Sequence, residues 1–297
     1  MSFDWYRRIR ERELPVDGRE IRIRRLFGNG NENGNGDGSG GPGRAVIIAM
    51  DHGLFDGPIP GMEDLPATAS AISPEVDGVL LAPGMIRRCS QVFAGRRRPL
   101  AVVRLNWNTV YCFHWNYRLA VSVNSYSPLE ALAEGMDIAL VSLTLQTGQE
   151  ERDARNVEIF SRLTNQCHQL GIPVIGEYFP TGHDKMTPQQ LHENIRIGSR
   201  IVAELGADAI KTFNTCDFQA VTGTCPVPVL GLGAEKLPTQ KAALELAAAE
   251  VAAGASGVVF GRNAIQVPNP QAFQQALCEV VRGGAQPSAM IAKYKLQ

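Results

Sequence analysis

AVIIAMDHGLFDGP, residues 45–58, decides between the two architectures open to this chain. Its first six residues are an unbroken apolar run, as expected of a parallel strand covered on both faces. A strand that opens a dinucleotide-binding sheet turns into a glycine-rich G-x-G-x-x-G loop. Here the run passes into Asp51-His52-Gly53 instead, which places a doubly wound open sheet second to a closed barrel.

Seven segments of the same kind follow: DGVLLA (77–82), LAVVRL (100–105), IALVSLTL (138–145), PVIGEYF (173–179), DAIKTF (208–213), VPVLGLG (227–233) and GVVFG (257–261). Helical stretches separate them and carry start signals. Ser127-Pro128-Leu129-Glu130 and Thr187-Pro188-Gln189-Gln190 have a capping hydroxyl, proline in the first turn and a Glu or Gln three residues on. Asn269-Pro270 opens the last long helix. Leu191, Ile195, Val202 and Leu205 recur at helical spacing. Eight strands alternating with helices over about 240 residues predict a (β/α)8 barrel, the TIM-barrel form of the α/β class.

Outside the barrel, residues 1–27 form a basic extension with eight arginines against five acids. Within it DWYRRIRERE reads as a short amphipathic helix, and REIRIRRLF alternates like a strand. An RNA-binding arm is the alternative to a solvated, ion-paired face. GNGNENGNGDGSGGPG (28–43) is low-complexity and predicts a flexible surface loop. The barrel then spans 44–285, and 286–297 form a tail.

The 297 residues are 44% hydrophobic and 20% charged, with a net charge of −1, as in an ordinary globular protein rather than a general nucleic-acid binder. Six cysteines lack any C-x-x-C pair, which predicts free thiols in a reducing compartment and no zinc site. No run reaches membrane-spanning length and no signal-peptide core is present, so a cytoplasmic protein without membrane contact is expected.

Lys211 is the unusual residue. It sits inside AIKTF (209–213), where an apolar interior would strip its hydration and lower its pKa. An uncharged amine attacks ketones and aldehydes, which suits Schiff-base chemistry. A lysine that snorkels to the strand end, or pairs with a carboxylate, is the structural alternative. Barrel active sites lie at the C-terminal ends of the strands, often with a phosphate site after strands seven and eight. Strand seven ends in Gly231-Leu232-Gly233-Ala234 and strand eight in Gly261-Arg262-Asn263, offering backbone N–H groups and a guanidinium for a phosphate. Lys236 either assists them or is a solvated loop lysine. Asp51 orients a substrate hydroxyl, assists proton transfer or caps a turn, and His52 touches substrate or is structural. Glu177 and Phe179 share one face of strand five and Tyr178 the other. Facing inward, Glu177 serves as acid/base or as a static counter-ion to Lys211. NWNTVYCFHWNY (106–117) walls a pocket or forms a subunit contact.

Taken together, IAMDHG with GPIPG, AIKTF, CPVPV before the glycine-bearing seventh strand, and GVVFGRNAIQ resemble the DhnA-type class I aldolases. That family includes archaeal-type fructose-1,6-bisphosphate aldolase, 2-amino-3,7-dideoxy-D-threo-hept-6-ulosonate synthase and the LsrF protein. The similarity runs from about Arg22 to the last helix. It implies a (β/α)8 barrel, often a homo-oligomeric ring with a decamer among its forms, working without metal or other cofactor. It makes Lys211 the Schiff-base lysine, Asp51 an active-site acid, and Gly233, Gly261 and Arg262 phosphate contacts. One departure stands out: the family's aldolases usually carry Tyr-Pro on strand five, where this chain has Phe179-Pro180. Proton transfer then falls to Glu177, or to Tyr178 if a bulge turns it inward.

The activity expected is class I aldol cleavage or formation of a C–C bond in a phosphorylated keto-sugar, with a dihydroxyacetone-phosphate-type donor. LsrF-like acyl transfer from a phosphorylated dione to coenzyme A is the alternative on the same scaffold. A non-catalytic sugar-phosphate-binding barrel is the alternative of another class.

Overall fold

Side chains alternate along each apolar run, and the two faces of the runs build two different cores. In the structure, a computed structural model, residues 17–28, 43–96, 98–117 and 119–297 are described. Parallel strands β1 (Ala45–Ala49), β2 (Gly78–Leu81) and β3 (Leu100–Arg104) are followed by a short antiparallel ribbon of β4 (Asn106–Asn108) and β5 (Ser122–Asn124). Parallel strands β6 (Ile138–Leu143), β7 (Val174–Tyr178), β8 (Ala209–Phe213), β9 (Val229–Leu232) and β10 (Gly257–Phe260) complete the set. The eight parallel strands pair in the order β1-β2-β3-β6-β7-β8-β9-β10, and β10 returns to β1. The chain thus forms a closed (β/α)8 barrel, with a strand in each of the eight expected segments.

Ile47, Leu80, Val102, Leu140, Ile175 and Leu230 face inward and fill the barrel. Residues of the opposite parity, such as Val46, Val103, Val141 and Ile210, pack against the outer helices. Two of those helices begin with the anticipated capping boxes, Ser127 with Glu130 and Thr187 with Gln190. Asn269 caps a third.

The strand expected in REIRIRRLF is not there. Gly18–Phe27 is an α-helix, capped by the Asp17 side chain, which accepts from the backbone N–H of Arg19 and Glu20. Glu20 and Arg24 pair one turn apart. Ile23, Leu26 and Phe27 have helical spacing as well as alternation with the arginines, and the helix wins because all three are buried on the barrel interior. Each such burial contributes about 1.5–3 kcal/mol. Arg22 reaches the carbonyl of Gly171 at 3.0 Å and Arg25 the carboxylate of Asp137 at 3.2 Å, just before β7 and β6 begin. The helix therefore stoppers the end of the barrel where the strands start. DWYRRIRERE and residues 29–42 of the Gly/Asn-rich stretch lie outside the described residues.

Candidate active site

The same alternation that fills the barrel with apolar side chains places charges one layer higher. Two residues beyond interior Ala49, Val102, Ile175 and Ala209 come Asp51, Arg104, Glu177 and Lys211. All four are buried, and they form an alternating chain across the C-terminal end of the barrel. The Lys211 Nζ lies 2.6 Å from Glu177 Oε1. Arg104 Nη2 donates to Glu177 Oε2 at 2.6 Å, and Arg104 Nε to Asp51 Oδ2 at 2.5 Å.

Burial alone would push the Asp51 and Glu177 carboxyls up. The charges of Arg104 and then Lys211 outweigh it and hold both below the ordinary carboxylate range. Arg104 responds in kind: burial works against its charge, but Glu177 and Asp51 hold its pKa well above the ordinary value. The apolar surroundings expected for Lys211 are therefore not found, since its amine ends in an ion pair. Arg104 was not singled out from the sequence and proves to be the hub. Its guanidinium lies 5.1 Å from the ring centre of Phe55 and 4.8 Å from that of Tyr111. Its Nη1 is buried with no hydrogen-bond partner among the described residues.

Glu177 faces inward, as one reading of strand five required. Tyr178 does not: the β6–β7 pairing is regular through Leu143 and Tyr178, so no bulge turns it. Its hydroxyl donates to Asn194 Oδ1 at 2.6 Å, and a Cβ at Gly198 would fall 2.2 Å from its ring. The phenol is wedged beneath the helix Pro188–Glu204, outside the barrel, and its placement as an acid/base at Lys211 is corrected. Above the ionic chain, Phe55, Tyr111, Phe179 and Phe213 form a ladder of rings with centroids 4.6–4.9 Å apart. Tyr111 comes from the aromatic stretch after β3, so that stretch lines the site.

The two glycine loops lie at the same end. Gly261 ends β10 against the His52 ring, where a Cβ would meet Cε1 at 2.4 Å. His52 Nδ1 is buried without a partner among the described residues, and burial pushes the imidazole pKa down. Gly233 ends β9, and its carbonyl accepts from Asn263 Nδ2 at 2.6 Å. Asn263 also binds Glu235 O and Leu237 N, pinning the loop after β9. Arg262 donates through Nη2 to Ala234 O at 3.0 Å, and its Nε is buried without a partner among the described residues. Lys236 is exposed in that loop.

Gly231 has a different purpose from the one its position suggested. A Cβ there would lie 2.2 Å from the Glu250 carboxyl carbon, so this glycine faces the helix Gln240–Ala252 rather than a ligand. Burial raises the Glu250 carboxyl well above its ordinary pKa. Among the described residues no group of three or more His, Cys, Asp or Glu side chains is arranged to hold a metal ion. No helix there is long and apolar enough to cross a membrane.

Residues 45–267 match the family model described as DeoC/LacD family aldolase. An uncharacterized aldolase of Saccharolobus solfataricus is 27% identical over 273 residues, which is 90% of this chain and 96% of that one. A 3-hydroxy-5-phosphonooxypentane-2,4-dione thiolase of Klebsiella pneumoniae is 30% identical over 239 residues, 80% of this chain and 76% of that one. Among solved structures, an archaeal fructose 1,6-bisphosphate aldolase superposes with a TM-score of 0.69 at 25% identity, covering 89% of this chain and 99% of that one. A Schiff base-forming fructose-1,6-bisphosphate aldolase, solved with reaction intermediates, gives 0.69 at 26%, covering 88% and 98%.

Proposed function

This chain belongs to the DeoC/LacD family of aldolases, and on that premise we propose that it forms a Schiff base through Lys211 and makes or breaks a C–C bond in a phosphorylated keto-sugar. The observation that carries this reading is the 2.6 Å contact between Lys211 Nζ and Glu177 Oε1 in a buried site at the C-terminal end of the barrel. Attack on a carbonyl requires the ammonium to lose a proton, and Glu177 is in place to take it. Loss of water from the carbinolamine gives the iminium, the electron sink for C–C cleavage. Asp51, braced by Arg104, orients substrate hydroxyls. Gly233, Gly261 and Arg262 hold the phosphate, with His52 and Lys236 beside them. The buried, unpartnered Nε of Arg262 supports that assignment, because such a donor is costly unless a ligand satisfies it. The substrate is a free sugar phosphate, and the protein works as a ring-type homo-oligomer in the cytoplasm.

Borohydride reduction in the presence of fructose 1,6-bisphosphate or dihydroxyacetone phosphate should leave a secondary-amine adduct on Lys211, its added mass that of the donor less water plus two hydrogens. Absence of an adduct with both would sink the imine. Relatives 30% identical over 80% of the chain favour a second reading, acyl transfer from a phosphorylated dione to coenzyme A. Consumption of 3-hydroxy-5-phosphonooxypentane-2,4-dione only when coenzyme A is present would establish it over aldol cleavage.

A further inference from the structure

We propose that Tyr111 is the catalytic proton relay between the substrate hydroxyl and Glu177. The inference deepens the Lys211 imine reading and rests on it.

Tyr111 ends the short 3-10 turn Thr109–Tyr111 that follows β4, and its side chain folds back over the ionic chain. The ring is fixed on three sides, by Phe55 at 4.7 Å, Phe179 at 4.6 Å and the Arg104 guanidinium at 4.8 Å. Its hydroxyl is buried with no well-formed hydrogen bond among the described residues, and the Glu177 carboxylate and the Ser142 side chain stand close enough to bond it. A phenol so placed can donate to the Glu177 carboxylate while its own oxygen stays able to accept from a substrate hydroxyl. Ser142 and Glu177 are register partners on β6 and β7, and Glu177 and Lys211 on β7 and β8; the Arg104 guanidinium that lies against the Tyr111 ring also binds Glu177, which sets the phenol beside this layer.

The neighbouring groups are already committed. Tyr178 is bound to Asn194 outside the barrel. Glu177 faces two cations, Lys211 and Arg104, one at each oxygen, which keeps it ionised with no proton of its own to donate. A phenol between carboxylate and substrate supplies the missing hydrogen. In the cleavage direction the β-hydroxyl of the Lys211 iminium gives its proton to Tyr111 Oη as the phenol proton passes to Glu177. The C–O oxygen becomes a carbonyl, the C–C bond breaks, and its electron pair moves to the iminium nitrogen, leaving an enamine. Glu177 then returns a proton to the enamine carbon through Tyr111, so no proton is gained or lost. Burial and the nearby Glu177 carboxylate raise the phenol's pKa and keep it protonated at neutral pH, as a relay requires.

The test uses the full chain with fructose 1,6-bisphosphate. Tyr111→Phe should keep the borohydride adduct on Lys211 and lose about 100-fold or more in kcat, the usual scale of a lost acid/base group, with KM little changed. Cleavage by Y111F at the wild-type rate, with the adduct present, overturns the relay and leaves the imine standing. A wild-type protein that takes no adduct overturns the imine and the relay together. Should Y111F fail to fold, 3-fluorotyrosine placed at position 111 keeps the ring and makes its hydroxyl more acidic. The alkaline limb of the kcat profile must then move to lower pH, and an unmoved profile overturns the proposal.

Discussion

Glu177 and Lys211 are register partners on adjacent parallel strands, and their side chains meet at 2.6 Å inside the barrel. Neighbouring parallel strands bring partners of the same parity to the same face, so the contact follows from pairing alone. The second Glu177 oxygen is held by Arg104, which fixes the carboxylate where the amine needs it.

Lys211→Met should remove the imine and lower turnover by about 10⁴-fold or more. Glu177 keeps its Arg104 partner in this variant, so the fold should persist. Turnover measured alongside the thermal midpoint separates the two effects, and a variant that still cleaves its substrate refutes the assignment.

Arg104→Met should unfold more readily than any other change in the site. It leaves two buried carboxylates without their shared cation, and breaking a buried pair from one side costs about 3–5 kcal/mol. Urea denaturation measures this directly. Adding Asp51→Asn to the variant should recover part of the loss, which a double-mutant cycle would read.

Acid should weaken the ionic chain. Asp51 and Glu177 have folded-state pKa values below their unfolded ones. Their contribution is therefore complete above the unfolded values near 4 and is lost as pH falls through the folded ones. Urea midpoints between pH 2.5 and 7 should fall more steeply for the wild type than for Glu177→Gln. Parallel curves would show that the acid sensitivity does not arise at Glu177.

Glu250 runs in the opposite sense. Its folded pKa is raised by burial alone, so its stabilising state is the protonated one, fully present below the unfolded value near 4.3 and lost as pH rises towards the folded one. Glu250→Gln should match the wild type in thermal midpoint near pH 4 and exceed it at pH 8.

Tyr178→Phe should leave kcat unchanged and lower stability by about 1–2 kcal/mol, because it removes only the hydrogen bond to Asn194. A large fall in kcat would return Tyr178 to the site from which its outward placement removes it.

The barrel was legible because buried parallel strands are continuous apolar runs, and AVIIAM or GVVFG reads the same in any context. Asp51, Glu177 and Lys211 were legible because a charge inside such a run is conspicuous. Arg104 was missed although it obeys the same rule in LAVVRL: an arginine at a strand end usually extends its stem to solvent, and nothing local shows this one to be buried. The signal was parity, since each of the four charges follows an interior residue by two positions. Gly231 misled for another reason. A glycine marks a close approach without saying what approaches, and here it is the Glu250 carboxyl. REIRIRRLF satisfied two periods at once, and the Asp17 cap with the buried trio Ile23, Leu26 and Phe27 settled it as helix.

The barrel bore is packed shut by Ile47, Leu80, Val102 and their neighbours, Ile23, Leu26 and Phe27 cap the end where the strands begin, and the ionic chain lies at the other end. On the imine reading, donor, acceptor and the water expelled when the amine condenses pass the rim at that end, where Phe113 stands 6.5 Å from Phe179 and is 55% exposed. Traffic in one doorway imposes an order: the fragment not tethered to the lysine has to clear the opening before water can return to free the other. On the Lys211 imine reading, the untethered aldehyde would leave through that opening ahead of the lysine-bound ketone.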